Sequence, residues 1–207
     1  MEMAKRNKTI DSYNRTAKEY YLVVSSFDIL PEMFSFVKMV KPGGKILDLG
    51  CGPGQHSKYF KKFGFKTTGV DLSEEMINIA NQENAGIDFK VMDIEKLNFP
   101  DSFDGIWASA SLLHIRKRNL LKVLGQILNY LKADGVFYLS MKKGIGEKNI
   151  SDDRYGGVNK FYAFYSVLEL EKILKIAGFK IIQIETRDRR VMYDTNSWIH
   201  IFCKKDL

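Results

Sequence analysis

The feature that most constrains this chain is Lys45-Ile46-Leu47-Asp48-Leu49-Gly50-Cys51-Gly52-Pro53-Gly54, a short apolar run that breaks into three alternating glycines. Lys45 to Leu49 follows a Pro42-Gly43-Gly44 turn and reads as a buried strand. The glycines let the backbone turn sharply off that strand and lie against a ligand without Cβ atoms in the way. A helix is expected to begin near Gly54, and its N-terminus favours anionic groups. A dinucleotide fingerprint would place a glycine three residues after Gly52, where Gln55 stands. Asp48 would also repel a pyrophosphate, whereas it can help hold the ammonium of an amino-acid moiety.

Strand and helix signals alternate beyond this loop. Phe65 to Val70 is β-rich, and Ser73 reads as the N-cap of a helix that carries Met76 and ends near Ala85-Gly86. Ile87 to Met92, Phe103 to Ala108 and Val136 to Met141 read as further strands, with a helix over Asn119 to Leu131. Such alternation predicts a doubly wound α/β fold, because parallel neighbours need a crossover to reconnect. After a helix over Ser166 to Ala177, Phe179 to Arg189 and Ser197 to Lys204 form an antiparallel pair turning through Asp194-Thr195-Asn196. The expected architecture is a seven-stranded, mostly parallel sheet with this C-terminal hairpin and helices on both faces. Before the first strand, apolar residues at helical spacing around Tyr13, Ala17 and Tyr20, then Phe27, Leu30, Phe34 and Val37, predict two leading helices.

Bulk properties fit one domain over 1–207, with a helical lid at 1–41 and an acceptor-side loop insertion at 142–165. The 207 residues are 45% hydrophobic and 28% charged, enough for a full core. A formal charge of +7 attracts anionic partners without naming one. Cys51 and Cys203 lie far apart and outside any zinc-like spacing, so no metal is expected and a reducing, cytoplasmic setting is. The N-terminus lacks an apolar signal region, and no apolar run is long enough to cross a bilayer.

Ile46 to Gly54 resembles the first motif of class I S-adenosylmethionine-dependent methyltransferases. Gly69-Val70-Asp71-Leu72-Ser73 and Met92-Asp93-Ile94 resemble the second- and third-strand motifs of that family, and the C-terminal antiparallel strand is similar to its sheet. The resemblance implies S-adenosylmethionine as donor and S-adenosylhomocysteine as product. It assigns Gly50 and Gly52 to the methionine end, Asp71 to both ribose hydroxyls, Leu72 to the adenine face and Asp93 to the adenine amine. Asp48, Cys51, Met76, Ile94 and Ser109 complete the expected donor site, with Tyr13 on the leading helix as a lid residue. Asp71 suits its role chemically, since a carboxylate at a strand end can accept two hydroxyl hydrogen bonds. Cys51 is expected as a small side chain in a crowded turn rather than a nucleophile.

A sulfonium methyl is already activated, so the protein must chiefly exclude water and align the acceptor. The acceptor pocket is expected where Ala108-Ser109-Ala110-Ser111-Leu112-Leu113-His114 leaves the fourth strand. No (Asn/Asp)-Pro-Pro-aromatic or Pro-Cys motif stands there, which disfavours nucleobase chemistry. His114 is the candidate general base, while His56 and His200 look less well placed. The Lys143 to Glu147 run and the Phe164-Tyr165 pair resemble a bacterial and archaeal subfamily often called type 11 or type 12. Arg154 and Tyr155 in the long polar stretch could reach an acceptor. The sequence thus favours methyl transfer to a small-molecule O, N or S nucleophile. An RNA or protein methyltransferase, drawn by basic clusters at 116–118, 142–143 and 187–190, is the alternative, as is a non-catalytic donor-binding module; the oligomeric state is left open.

Overall fold

The computed structural model describes residues 2–26, 31–152, 158–188 and 197–206. Three helices lead the chain: α1 (Glu2–Arg15), α2 (Ala17–Val24) and α3 (Pro31–Met39). The spacing predicts two, and the difference lies at Thr16. Its backbone leaves the helical region at φ −115°, ψ 16°. Its Oγ1 donates to the Ser12 carbonyl at 2.8 Å, a local bond that competes with helix continuation. Pro31 starts α3 where a missing N–H costs nothing; Phe27 and Leu30 lie outside the described residues.

The central unit then runs β1 (Lys45–Leu49), α4 (Gln55–Lys62), β2 (Lys66–Asp71), α5 (Glu74–Glu83), β3 (Asp88–Val91), β4 (Phe103–Ser109), α6 (Lys117–Tyr130) and β5 (Leu131–Lys142). These strands pair in parallel, β1 sitting between β2 and β4. After a two-stranded excursion, β6 (Glu147–Asp152) and β7 (Val158–Ala163), the chain returns through α7 (Val167–Ile176), β8 (Phe179–Asp188) and β9 (Ser197–Lys205). The seven-stranded sheet has the order β3-β2-β1-β4-β5-β9-β8, with β9 antiparallel to both β5 and β8. The expected doubly wound sheet with antiparallel closure is therefore present; the turn through Asp194-Thr195-Asn196 lies outside the described residues.

Alternating side chains on the buried strands feed two cores. Ile46, Trp107 and Tyr138 pack with Met33, Phe36 and Phe60 on one face. Leu47, Ile106 and Leu139 pack with Leu120, Leu124 and Leu170 on the other. Winding reverses between β1 and β4, so a crevice opens beyond their carboxyl ends, where sheets of this kind bind ligands.

Residues 142–165 correct the loop expectation. Glu147 to Asp152 pairs antiparallel with Val158 to Ala163, from Glu147↔Ala163 to Asp152↔Val158. Val158 and the residues from Lys160 to Tyr165 are buried, and β7 packs on α1 and on the turn at 112–114. That burial offsets the polar flanks that make the segment read as a surface loop. Among the described residues no helix is long and apolar enough to cross a membrane.

Candidate active site

The crevice is a cleft of about 890 Å³, walled by Gly50, Gly52, Asp71, Leu72, Met76, Asp93, Ile94, Ser109, His114 and Tyr13 from the expected set. They come from the carboxyl ends of strands and the turns that follow them, from α5 (Met76) and from α1 folded over the cleft (Tyr13). The glycine loop is possible only with glycines. Gly50 adopts φ +69°, and a Cβ there would stand 2.4 Å from the Ser111 Cβ. At Gly52 (φ +53°) a Cβ would face open cleft, its nearest neighbour being Tyr20 at 3.9 Å. The loop therefore presents bare backbone to a ligand.

Asp71 ties the loop to the end of β2. Its Oδ2 accepts from Gly52 N at 3.0 Å and its Oδ1 from Ser73 N at 2.9 Å. Each carboxylate oxygen thus spends one lone-pair direction on backbone and keeps another for a vicinal diol. Burial raises its pKa, opposed by these backbone bonds. Ser73 caps α5 as expected, accepting from Met76 N at 3.2 Å. Asp93 accepts from Glu95 N at 2.7 Å, which orients its carboxyl at the end of β3 beside Ile94.

Two expected donor-site residues lie behind the cleft wall instead. Asp48 is 1% exposed and accepts from Ser57 Oγ at 2.7 Å under the start of α4. Desolvation pushes its pKa up to about 7, against the Ser57 bond that ties the loop to α4. Cys51 packs with Ile77, Ala80 and Phe89, and burial lifts its thiol pKa well above the usual range. Its side chain fills the turn behind the loop.

One end of the cleft is built around His114. Its Nδ1 lies 2.7 Å from the Phe161 carbonyl, which can only accept, so this nitrogen carries the proton. The lone pair is then on Nε2, 2.9 Å from the Tyr13 hydroxyl, and Tyr13 donates. Desolvation, opposed by the Phe161 bond and helped by the charges of Lys160 and Lys142, draws the imidazolium pKa down to about 4. His114 is therefore neutral near pH 7 with a fixed tautomer. Tyr13, Tyr20 and Phe161 wall the same end, Tyr20 standing edge-on to Tyr13 at 5.9 Å.

The C-terminal half of helix α1 is pinned on two sides of the cleft. Asn14 Oδ1 accepts from Ser73 Oγ at 2.6 Å on the donor side. On the other side Thr9 Oγ1 accepts from Phe161 N at 3.0 Å, and Ser12 Oγ donates to the Asn159 carbonyl at 2.9 Å. Sequence reasoning missed Thr9, Phe161 and Ala110. Ala110 holds φ +53° at the exit of β4, where its N–H donates to Ser140 Oγ at 2.9 Å. Nothing local in the sequence marks that strain. Tyr21 bonds Glu83 outside the cleft, while His56 and His200 pair with Trp107 and Tyr138 away from it. Arg154 and Tyr155 lie outside the described residues. No metal-holding cluster occurs among the described residues.

Comparison with known proteins agrees with this geometry. Residues 46–135 match the methyltransferase domain family. The chain is 30% identical over 159 residues to phosphoethanolamine N-methyltransferase 1 of Arabidopsis thaliana, covering 74% of this chain and 32% of that one. It is 31% identical over 182 residues to a malonyl-acyl-carrier-protein O-methyltransferase of Bacillus cereus, covering 78% of this chain and 64% of that one. The chain thus spans about a third of the plant relative and less than two thirds of the bacterial one. Its fold superposes with a TM-score of 0.78 and 20% identity on Burkholderia thailandensis 1,6-didemethyltoxoflavin-N1-methyltransferase, crystallised with S-adenosylhomocysteine, over 99% of this chain and 89% of that one. Residues 46–135 thus carry a methyltransferase domain, set in a Rossmann-like sheet of the same fold as solved S-adenosylmethionine-dependent methyltransferases.

Proposed function

We propose that this chain transfers a methyl group from S-adenosylmethionine to an O, N or S nucleophile on a small molecule, with Tyr13 and His114 handling the acceptor's proton. The observation that carries this reading is one cleft holding both the glycine loop with Asp71 and the Tyr13–His114–Phe161 chain of hydrogen bonds. The donor fits the residues present. Gly50 and Gly52 would offer backbone to its methionine end, Asp71 its two oxygens to the ribose, Leu72 with Ile94 apolar walls to the adenine, and Asp93 an acceptor to the adenine amine. Bound there, S-adenosylmethionine supplies a methyl on a positively charged sulfur, ready for in-line displacement.

The chain's own work is then alignment, water exclusion and proton transfer. Tyr13, Tyr20 and Phe161 close the acceptor end. As the acceptor bonds to the methyl carbon it gives its proton to Tyr13 Oη, while Tyr13 passes its own to His114 Nε2. The Phe161 carbonyl supports the resulting imidazolium through Nδ1–H. That imidazolium is a strong acid, given a pKa near 4, so it returns its proton to water once the product leaves. The relative named for phosphoethanolamine supports a small acceptor, while the N- and O-methyltransferase names together do not choose the atom. Cys51 and Cys203 are both buried and outside any disulfide, which supports a cytoplasmic setting.

Calorimetric titration with S-adenosylhomocysteine tests the donor half, and saturable binding is expected. Screening small metabolites with labelled S-adenosylmethionine tests transfer. For any acceptor found, Tyr13→Phe is expected to lower kcat by about 10- to 100-fold and leave donor affinity unchanged. Absence of donor binding sinks the proposal, and an unchanged kcat in Tyr13→Phe removes the proton route.

A further inference from the structure

The backbone donors of the glycine loop are all engaged within the protein. Gly50 N and Cys51 N both donate to the Val70 carbonyl, at 2.8 and 3.0 Å, and Gly54 N donates to the Cys51 carbonyl at 3.0 Å. Gly52 N donates to Asp71 at 3.0 Å, and Pro53 has no N–H to give. The loop therefore meets a ligand with carbonyl oxygens and keeps no N–H of residues 50–54 for an anion. Carbonyls suit the ammonium of an amino-acid moiety, while its carboxylate needs a donor from elsewhere.

Ser111 stands where that donor is needed. It walls the cleft over Gly50, since a Cβ on Gly50 would lie 2.4 Å from Ser111 Cβ and 3.2 Å from Ser111 Oγ. The residue is 7% exposed, and its Oγ is buried without a hydrogen-bond partner among the described residues. A buried hydroxyl left unpaired costs stability, so its presence calls for a reason other than folding. The residue before it is strained as well. Ala110 sits at φ +53°, held by its N–H bond to the buried Ser140 Oγ at 2.9 Å. That turn carries the chain off β4 and sets Ser111 at the head of the 112–114 turn, where His114 N donates to the Ser111 carbonyl at 3.1 Å. Strain and the orphaned hydroxyl thus fall on consecutive residues, where the end of β4 passes the glycine loop.

We infer that Ser111 Oγ donates a hydrogen bond to the carboxylate at the methionine end of the methyl donor. This rests on the reading of the cleft as the S-adenosylmethionine site. Oγ is covered in this structure, so binding includes a step of Ser111 to another staggered χ1 rotamer. The bond is charge-assisted, and it secures the carboxylate while the loop carbonyls take the ammonium.

The test titrates the full chain, by calorimetry, with S-adenosylhomocysteine, with its decarboxylated analogue bearing an aminopropyl group in place of the amino acid, and with methylthioadenosine, which carries neither charge. The parent is expected to prefer S-adenosylhomocysteine over the other two. Ser111→Ala is expected to weaken S-adenosylhomocysteine by about 10- to 100-fold and to leave the other two within about twofold of the parent. Without ligand, Ser111→Ala is expected to melt at or above the parent's temperature, because it removes an unpaired buried hydroxyl. The inference is overturned if Ser111→Ala binds S-adenosylhomocysteine as the parent does, if it weakens all three probes alike, or if it melts several degrees lower, which would place a partner for Oγ within the fold. Tyr20, whose ring lies 3.9 Å from a Cβ on Gly52, carries another hydroxyl near the loop. Loss of the carboxylate preference in Tyr20→Phe alone assigns the contact to Tyr20 and overturns the inference too. A parent that binds methylthioadenosine as tightly as S-adenosylhomocysteine overturns the inference and spares the donor site. A parent that binds none of the three overturns the donor-site reading itself.

Discussion

Asp71→Ala tests the donor site most directly, because the structure isolates what the carboxylate does. Its two oxygens accept from Gly52 N and Ser73 N at 3.0 and 2.9 Å, leaving one direction on each for a ribose hydroxyl. A hydrogen bond to a charged group contributes about 1.5–3 kcal/mol. Losing two therefore costs roughly 3–6 kcal/mol, or about 10²- to 10⁴-fold in S-adenosylhomocysteine affinity. Freeing the Gly52 N–H also loosens the loop, and that part must be separated from the ribose part. Adenosine and 2′,3′-dideoxyadenosine make the separation, since both need the adenine site and only adenosine offers the diol. Calorimetry on both proteins is expected to show adenosine favoured over the dideoxy form in the parent, and the two bound alike in Asp71→Ala. Retention of the adenosine preference by a variant that melts like the parent would refute the diol assignment.

Two further substitutions probe the loop's construction. Gly50→Ala places a Cβ 2.4 Å from Ser111 Cβ at φ +69°, and urea denaturation is expected to show about 2–4 kcal/mol of lost stability; a loss within 0.5 kcal/mol, the usual scatter for a harmless surface change, would count against the close packing. Asp48 carries a raised pKa near 7, so the folded state binds more protons than the unfolded chain between its ordinary value of 3.8 and about 7. Stability contributed by the protonated carboxyl is present in full below that window and is lost as pH rises through it. Asp48→Asn keeps the Ser57 contact without the titration, and it is expected to flatten the pH dependence of the melting temperature and to be the more stable protein at pH 8. An unchanged slope between pH 4 and 7 would show that Asp48 ionises normally.

What the sequence discloses and what it hides follow from how local each interaction is. The glycine loop, Asp71 and the β/α alternation are legible because a sharp turn off a strand restricts residue type at fixed spacing. Asp48 misleads within that same motif through strand parity. Ile46 packs with Phe36 and Phe60 on the α3–α4 face, and Asp48, two residues on, turns to the same side and meets Ser57 of α4. Lys160 misleads through its charge, which reads as solvent-facing, although β7 is buried under α1 and the turn at 112–114.

The acceptor half is hidden for a stronger reason. Tyr13 and His114 are 101 residues apart, His114 and Phe161 47, and Thr9 and Phe161 152, so no window of sequence contains the site. The same distances explain what the family match can carry. Residues 46–135 include the glycine loop, Asp71, Asp93 and His114, whereas Tyr13, Lys142, Lys160, Phe161 and Tyr162 all lie outside them. Donor chemistry is thus set by consecutive strand ends in the matched core. On the proposed reading acceptor choice lies with a leading helix and a hairpin that pack beside the cleft, elements outside the parallel sheet. On the proposed reading a change of substrate within such a fold calls for new side chains on α1 and β7, where this chain carries Tyr13 and Phe161.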